Sequence, residues 1–333
     1  MRKGIIIGII ILAVVAAAGG TAFYFYSRDA LVMRSPLLVQ ETPIITYLSG
    51  EVYFSEKDSQ EWFEPEAGQK LKQGTLLRTG IDGEMDIRLS AETLLRMDHD
   101  SLMVLEQSTL KNVELTVEDG RVYGRFHKLF SDQDITVNTP TVVAGIRGTD
   151  LVFEASQDES TIYALSGITE IINPDFPEEK LLLSFQQKTN VEKGKSPSAP
   201  EQMANFEVQE FQKTLNAIHT QTVLLVTRAI QFKANSAEIL DSSGPELENL
   251  YQQVDKSKHR IRIQGHTADI GYSAAQYTLS LDRAKAIKEY LVEQGISARR
   301  LEVEGFGGTK PVADNSTDEG KARNRRVEFV IIE

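Results

Sequence analysis

The sequence contains no cysteine. That excludes disulfides, thiolate metal sites, a cysteine nucleophile and a lipidated cysteine near the N-terminus. It does not name a compartment, because a cysteine-free chain tolerates an oxidising one equally well. Histidine is also scarce, with five in 333 residues and none spaced HxxxH, so a histidine zinc site has no basis. Excess positive charge is missing as well. Lysine and arginine total 36 against 48 acids, a net charge of −12, which argues against wholesale binding to nucleic acid or to an anionic bilayer. No nucleophile elbow, paired catalytic carboxylates or metal triad stands out. The expectation is a non-enzyme with no cofactor.

Charge is absent in one further place, and there the absence is informative. After Met-Arg-Lys, residues 4–26 read GIIIGIIILAVVAAAGGTAFYFY, 23 residues without a charge. A bilayer needs about 20 apolar residues to be crossed by a helix. Arg2 and Lys3 favour a cytoplasmic N-terminus, and Phe23, Tyr24, Phe25 and Tyr26 suit an aromatic belt at the far interface. The expectation is a single transmembrane helix anchoring the chain to the inner membrane, with the bulk of it in the periplasm. The alternative is a cleaved signal peptide with Ala16–Ala18 as its small-residue site, which leaves a soluble periplasmic or outer-membrane-associated protein.

Beyond that segment the pattern divides. Residues 45–195 are strand-rich: EMDIRLS alternates Met85, Ile87 and Leu89 with charged residues, and VELTV alternates Val113, Leu115 and Val117. IDGE (81–84) and EDGR (118–121) carry Asp-Gly pairs that signal hairpin turns. An all-β roll or sandwich is expected. MDHD (97–100) invites a metal reading, but on a strand Asp98 and Asp100 face one way and His99 the other, so a solvated turn is the better one. Gly145 and Gly148 suit a tight bend rather than a phosphate cradle. LLRTG (76–80), LRMDHDSLMVL (95–105) and NTPTVVAGIRGTDLVFE (138–154) resemble the FecR-type periplasmic domain, over about residues 47–195. That resemblance implies an exported β-fold with a scaffold, partner-binding or signalling role. A three-residue cytoplasmic tail is too short to hold a sigma factor.

Residues 196–227 read as a linker and connecting helix, with Phe206, Phe211, Leu215 and Ile218 as its apolar stripe. Residues 228–333 mix both periodicities. PELENLYQQV is a helix, while RIRIQGH, LEVEG and RRVEFVIIE are strands with one wet face. The expectation is a βαβαβ two-layer α/β sandwich, making the whole an α+β multidomain protein.

The helix at about 274–294 can be phased at about 100° per residue. Leu279, Ala286, Ile287, Tyr290 and Leu291 share a stripe, and Gln276 and Arg283 fall inside it. A guanidinium there must be paired or must reach a ligand. The nearby helix N-terminus and the loop HTADIG offer backbone donors, so the place suits a carboxylate. One alternative is that Arg283 bridges an acid of the C-terminal segment such as Glu328.

GHTADIG, LSLDRAKAIKEYL, GISARRLEVEGFGGTKPVADN and GKARNRRVEFVI are similar to the OmpA C-terminal domain, a peptidoglycan-binding module. The resemblance implies a site of Thr267, Ala268, Asp269, Gln276 and Arg283 that takes the carboxylate of a stem-peptide diamino acid, with Arg283 as its clamp. Ala268 occupies the family's acid position, Asp269 follows it, and Gln276 replaces an asparagine. Three consequences stay open. Asp269 substitutes, the site takes a different diamino acid, or wall binding has lapsed and the domain is a scaffold.

Overall fold

The computed structural model describes residues 42–109, 111–127, 133–268 and 273–332. The predicted transmembrane helix and Asp269 lie outside these. Among the described residues, no helix is long and apolar enough to cross a membrane.

The strand-rich part is organised by one 15-residue strand, Asn112–Phe126. Its first half pairs with Leu102–Ser108 and, in parallel, with Asp134–Asn138. Its second half pairs with Thr93–Met97 and Thr149–Ala155. One strand thus serves two faces wrapped around a single core that includes Leu115, Val117, Phe126 and Phe153. The bend between the halves is at Gly120, with φ +83° and a virtual Cβ 2.5 Å from the Asp100 carbonyl oxygen, so only glycine fits. The EDGR pair is therefore a bend inside a continuous strand, not the expected hairpin. IDGE is not a hairpin either. It joins Thr75–Thr79, which pairs with Val52–Ser55, to Glu84–Arg88, which pairs with Ile44–Ser49. Gly148, at φ +65°, makes the same kind of crossing between Val143–Arg147 and Thr149–Ala155. His99 and Asp100 form an exposed turn. No group of metal-ligating side chains occurs among the described residues.

The helix Asn205–Asn216 packs on the outer surface of this body. Val208, Phe211 and Leu215, with Ile218 beyond the helix end, meet Leu94, Tyr123, Val152 and Tyr163. Phe206, expected in that stripe, is 69% exposed, and Val208 takes its place at the correct helical spacing. Within residues 196–227, Glu201–Gln202 pairs with Gln187 and Lys188 of the body before the helix begins.

The C-terminal part is a four-stranded sheet in the spatial order Val223–Thr227, Val327–Ile332, Arg260–His266, Leu301–Gly307. Only the last two are parallel to each other. The helices Gly244–Ser257 and Ala274–Glu293 supply Leu250, Val254, Ala284, Ile287 and Leu291 to a core with Ile261, Ile263 and Phe329. The expected βαβαβ pattern is present with one addition. After Leu301–Gly307 comes a short helix, Asp318–Asn324, and a fourth strand that inserts into the middle of the sheet. The opposite face carries Arg260 and Arg262 paired with Glu302, as the alternation implied.

Candidate functional site

The site is built by a close crossing of helix over sheet. Gly265 is the penultimate residue of one parallel strand, and Gly305 is its register partner on the other. A Cβ on Gly265 would lie 2.1 Å from the Ser280 carbonyl oxygen, and one on Gly305 would lie 2.8 Å from the Leu281 nitrogen. Ser280 is fully buried, donates its hydroxyl to the Tyr277 carbonyl at 2.9 Å and accepts the Gly307 N–H at 2.9 Å. Small residues on both sides therefore let the Ala274–Glu293 helix lie directly on the strand ends. This shifts the buried stripe to Ser280, Ala284, Ile287 and Leu291, and leaves Leu279, Ala286 and Tyr290 half-buried.

Arg283 lies about one turn beyond Ser280 and is half-buried as a result. Its guanidinium lies 4.8 Å over the Phe232 ring, and its Nε donates to the Ser236 carbonyl at 3.0 Å. Among the described residues no carboxylate is within ion-pair distance of it. The alternative pairing with Glu328 fails because that acid belongs to Arg326, with Nε 2.6 Å from Oε1. Burial, and then the charge of Arg325, lower the Arg283 guanidinium below its usual value. Both effects mark a cation that is partly desolvated and uncompensated.

The other predicted residues divide. Thr267 is buried, its N–H donates to the Gly307 carbonyl at 2.8 Å, and its hydroxyl oxygen is buried with no hydrogen-bond partner among the described residues. Ala268 is buried beside it. Gln276 is half-buried in the first helical turn, its Cβ 3.3 Å from a virtual Cβ on Gly307. The helix starts at Ser273 without a side-chain cap, leaving its first N–H groups unpaired by a cap.

Residues the sequence did not single out complete the place. A cleft of about 470 Å³ opens beside Arg283 and is lined by Arg228, Arg323, Arg325 and Arg326, with Phe232 and His266 in its wall. His266 is 3% exposed and stacks on Phe306 at 5.2 Å. Among the described residues neither of its ring nitrogens has a hydrogen-bond partner, although Nε2 lies 3.8 Å from the Glu328 carboxylate. Burial, with the charge of Arg326 next, pushes its pKa down to about 3, so the imidazole is neutral. Arg326 also donates to the Lys310 carbonyl at 3.2 Å, and Asn324 holds the Val312 and Ala313 N–H groups at 2.7 and 2.9 Å. Bracing in this segment is thus done by Asn324 and Arg326 on the 310–315 loop, whereas Arg325 is exposed.

The arrangement is a cationic, partly apolar cleft at the ends of two parallel strands, suited to an anionic group on an extended ligand. Comparison with known proteins gives the family of each part. Residues 231–325 match the OmpA family and residues 75–169 match FecR protein. The chain therefore carries an OmpA domain at its C-terminus, preceded by a FecR domain.

Among relatives, outer membrane protein A of Bordetella avium is 42% identical over 110 residues, 31% of this chain and 57% of that protein. The peptidoglycan-binding protein ArfA of Mycobacterium bovis is 31% identical over 142 residues, 41% of this chain and 40% of its own length. Outer membrane protein Omp38 of Acinetobacter baumannii is 39% identical over 98 residues, 29% of this chain and 28% of its own. The match thus spans less than two thirds of each of these relatives.

Proposed function

We propose that this is a cell-envelope protein that grips peptidoglycan non-covalently through its C-terminal domain and has no catalytic activity. The observation that carries the reading is Arg283. It is a partly desolvated guanidinium with no acid partner among the described residues, held at the mouth of an arginine-lined cleft. The OmpA match over residues 231–325 and the peptidoglycan-binding relative give the ligand its class. In this reading the uncharged run 4–26 holds the chain to the inner membrane, and the FecR domain is a spacer or a docking module for another envelope protein.

The test is co-sedimentation of the full chain with purified sacculi. The parent is expected in the pellet and Arg283→Ala in the supernatant. A parent that stays in the supernatant overturns the reading.

A second reading is favoured by Ala268, an apolar residue at the position of the family's acid. In it the domain is a scaffold that has lost wall binding, and Ala268→Asp restores pelleting to a parent that lacks it.

A further inference from the structure

The cleft holds more positive charge than one carboxylate needs. Arg228, Arg323 and Arg325 are exposed along its wall, and Arg283 is half-buried there. Among the described residues none of these four is within ion-pair distance of an acid. Of the acids nearby, Glu328 is engaged by Arg326 at 2.6 Å, which leaves one acid against four arginines in the lining. Glu319, also in the cleft lining, is exposed and forms no ion pair among the described residues. The like charges are close enough to act on one another. Arg325 lowers the Arg283 guanidinium and Arg228 lowers that of Arg326. Such crowding is unfavourable in the free protein and is relieved by a bound anion. It occurs in a chain of net charge −12, so it does not follow from composition. The crowded arginines also come from separate segments: residue 228 follows the Val223–Thr227 strand, residue 283 lies on the long helix, and residues 323 and 325 lie at the end of the Asp318–Asn324 helix.

We infer that the cleft has a second anionic subsite, formed by Arg228, Arg323 and Arg325, so that its ligand is an extended peptide with two free carboxylates, one at Arg283 and one at this cluster. The inference rests on the wall-binding reading and gives that ligand its charge pattern. It also gives Ala268 a meaning. Without an acid in the loop at that position, the cleft selects for negative groups more than for an amine–carboxylate pair.

The test titrates the full chain with three soluble synthetic stem peptides. One has both carboxylates free, one is amidated at the diamino acid, and one is amidated at the other carboxylate. Each is run against the parent, Arg283→Ala and the double variant Arg228→Gln/Arg323→Gln. Both residues of the double variant are exposed and make no side-chain hydrogen bond among the described residues, so its thermal midpoint should not fall below the parent's.

The diacid peptide is expected to bind the parent about tenfold more tightly than the peptide amidated at the remote carboxylate. The double variant should lose that advantage and bind these two peptides equally. Equal affinity of the parent for them overturns the second subsite and leaves the wall reading standing. A double variant that weakens both peptides by the same factor also overturns it, because the arginines then act only by general attraction. A parent that binds no peptide and no sacculi removes the wall reading, and the subsite with it. Tighter binding of inorganic polyphosphate than of the diacid peptide assigns the cluster to phosphate and overturns the dicarboxylate.

Discussion

The FecR body and the C-terminal domain each remove arginine from water, and they do so in opposite ways. In the body, Arg96 is 6% exposed and directly faces Asp86 across paired strands. Its Nε and Nη2 donate to the two carboxylate oxygens at 2.6 and 2.7 Å, and Nη2 also donates to the Ala217 carbonyl at 3.0 Å. Asp86 further accepts the His219 N–H at 2.8 Å, and His219 Nδ1 lies 2.7 Å from the same oxygen. Burial alone would raise the Asp86 carboxyl, but Arg96 and these hydrogen bonds hold it below the usual carboxylate range. Every strong donor and acceptor in this cluster is met within the protein, and it ties the segment leading into the C-terminal domain to the FecR body. In the cleft, Arg283 has one carbonyl and one aromatic face. A satisfied buried charge is architecture, whereas an unsatisfied one awaits something from outside.

Cutting the satisfied cluster should have the largest effect on stability. Asp86→Ala leaves Arg96 buried without its acid and should cost about 3–5 kcal/mol. Denaturant unfolding of parent and variant measures this, and a loss below about 1 kcal/mol would place the cluster with ordinary surface pairs.

The next effect is the acid sensitivity of the C-terminal domain. The His266 pKa is lowered from 6.5 to about 3. Below pH 6.5 the unfolded chain takes up a proton that the folded one refuses. Stability that is present above pH 6.5 is therefore lost as pH falls toward 3, by an amount on the order of a few kcal/mol. His266→Phe keeps the stack on Phe306 and removes the titration. Its unfolding free energy should fall less steeply over that window. Identical slopes for parent and variant would assign the acid sensitivity elsewhere.

A smaller loss is expected where the sheet meets the helix. Gly265→Ala puts a methyl 2.1 Å from the Ser280 carbonyl, so the Ala274–Glu293 helix must move off the strand end. About 1–3 kcal/mol should be lost. Wall binding should weaken as well, because Arg283 rides on that helix.

How these features could be read from the sequence follows the same division. Alternation located the strands, and a cation within an apolar helical stripe located Arg283. Asp86 was out of reach, because EMDIRLS places it on the wet side of a half-buried strand. It is buried only because residues 217–220 fold back over that side, a long-range event with no local signature. The two Asp-Gly pairs misled for a related reason. Glycine also permits the bends by which one strand serves two faces, and the sequence does not distinguish a bend from a hairpin. In the long helix the stripe shifted because Ser280, Gly265 and Gly305 let the helix backbone lie directly on the strand ends. Strict hydrophobic phasing gives no credit to small polar residues. The arginine cluster comes from three separated segments, so its members become neighbours only after the sheet assembles.

The smallest stability effect belongs to the residue with the largest functional one. Arg283→Ala removes one hydrogen bond to a carbonyl and a contact over Phe232, and it relieves repulsion from Arg325. These terms oppose one another, so the unfolding free energy should change by less than about 1 kcal/mol in either direction. Pelleting with sacculi should nevertheless be lost. Arg283→Lys sharpens the point, since it keeps the charge but loses the planar fork, and it should recover only part of the binding. If Arg283→Ala instead destabilises the fold as much as Asp86→Ala does, the cleft arginine is an architectural charge like Arg96, and the contrast between the two regions disappears.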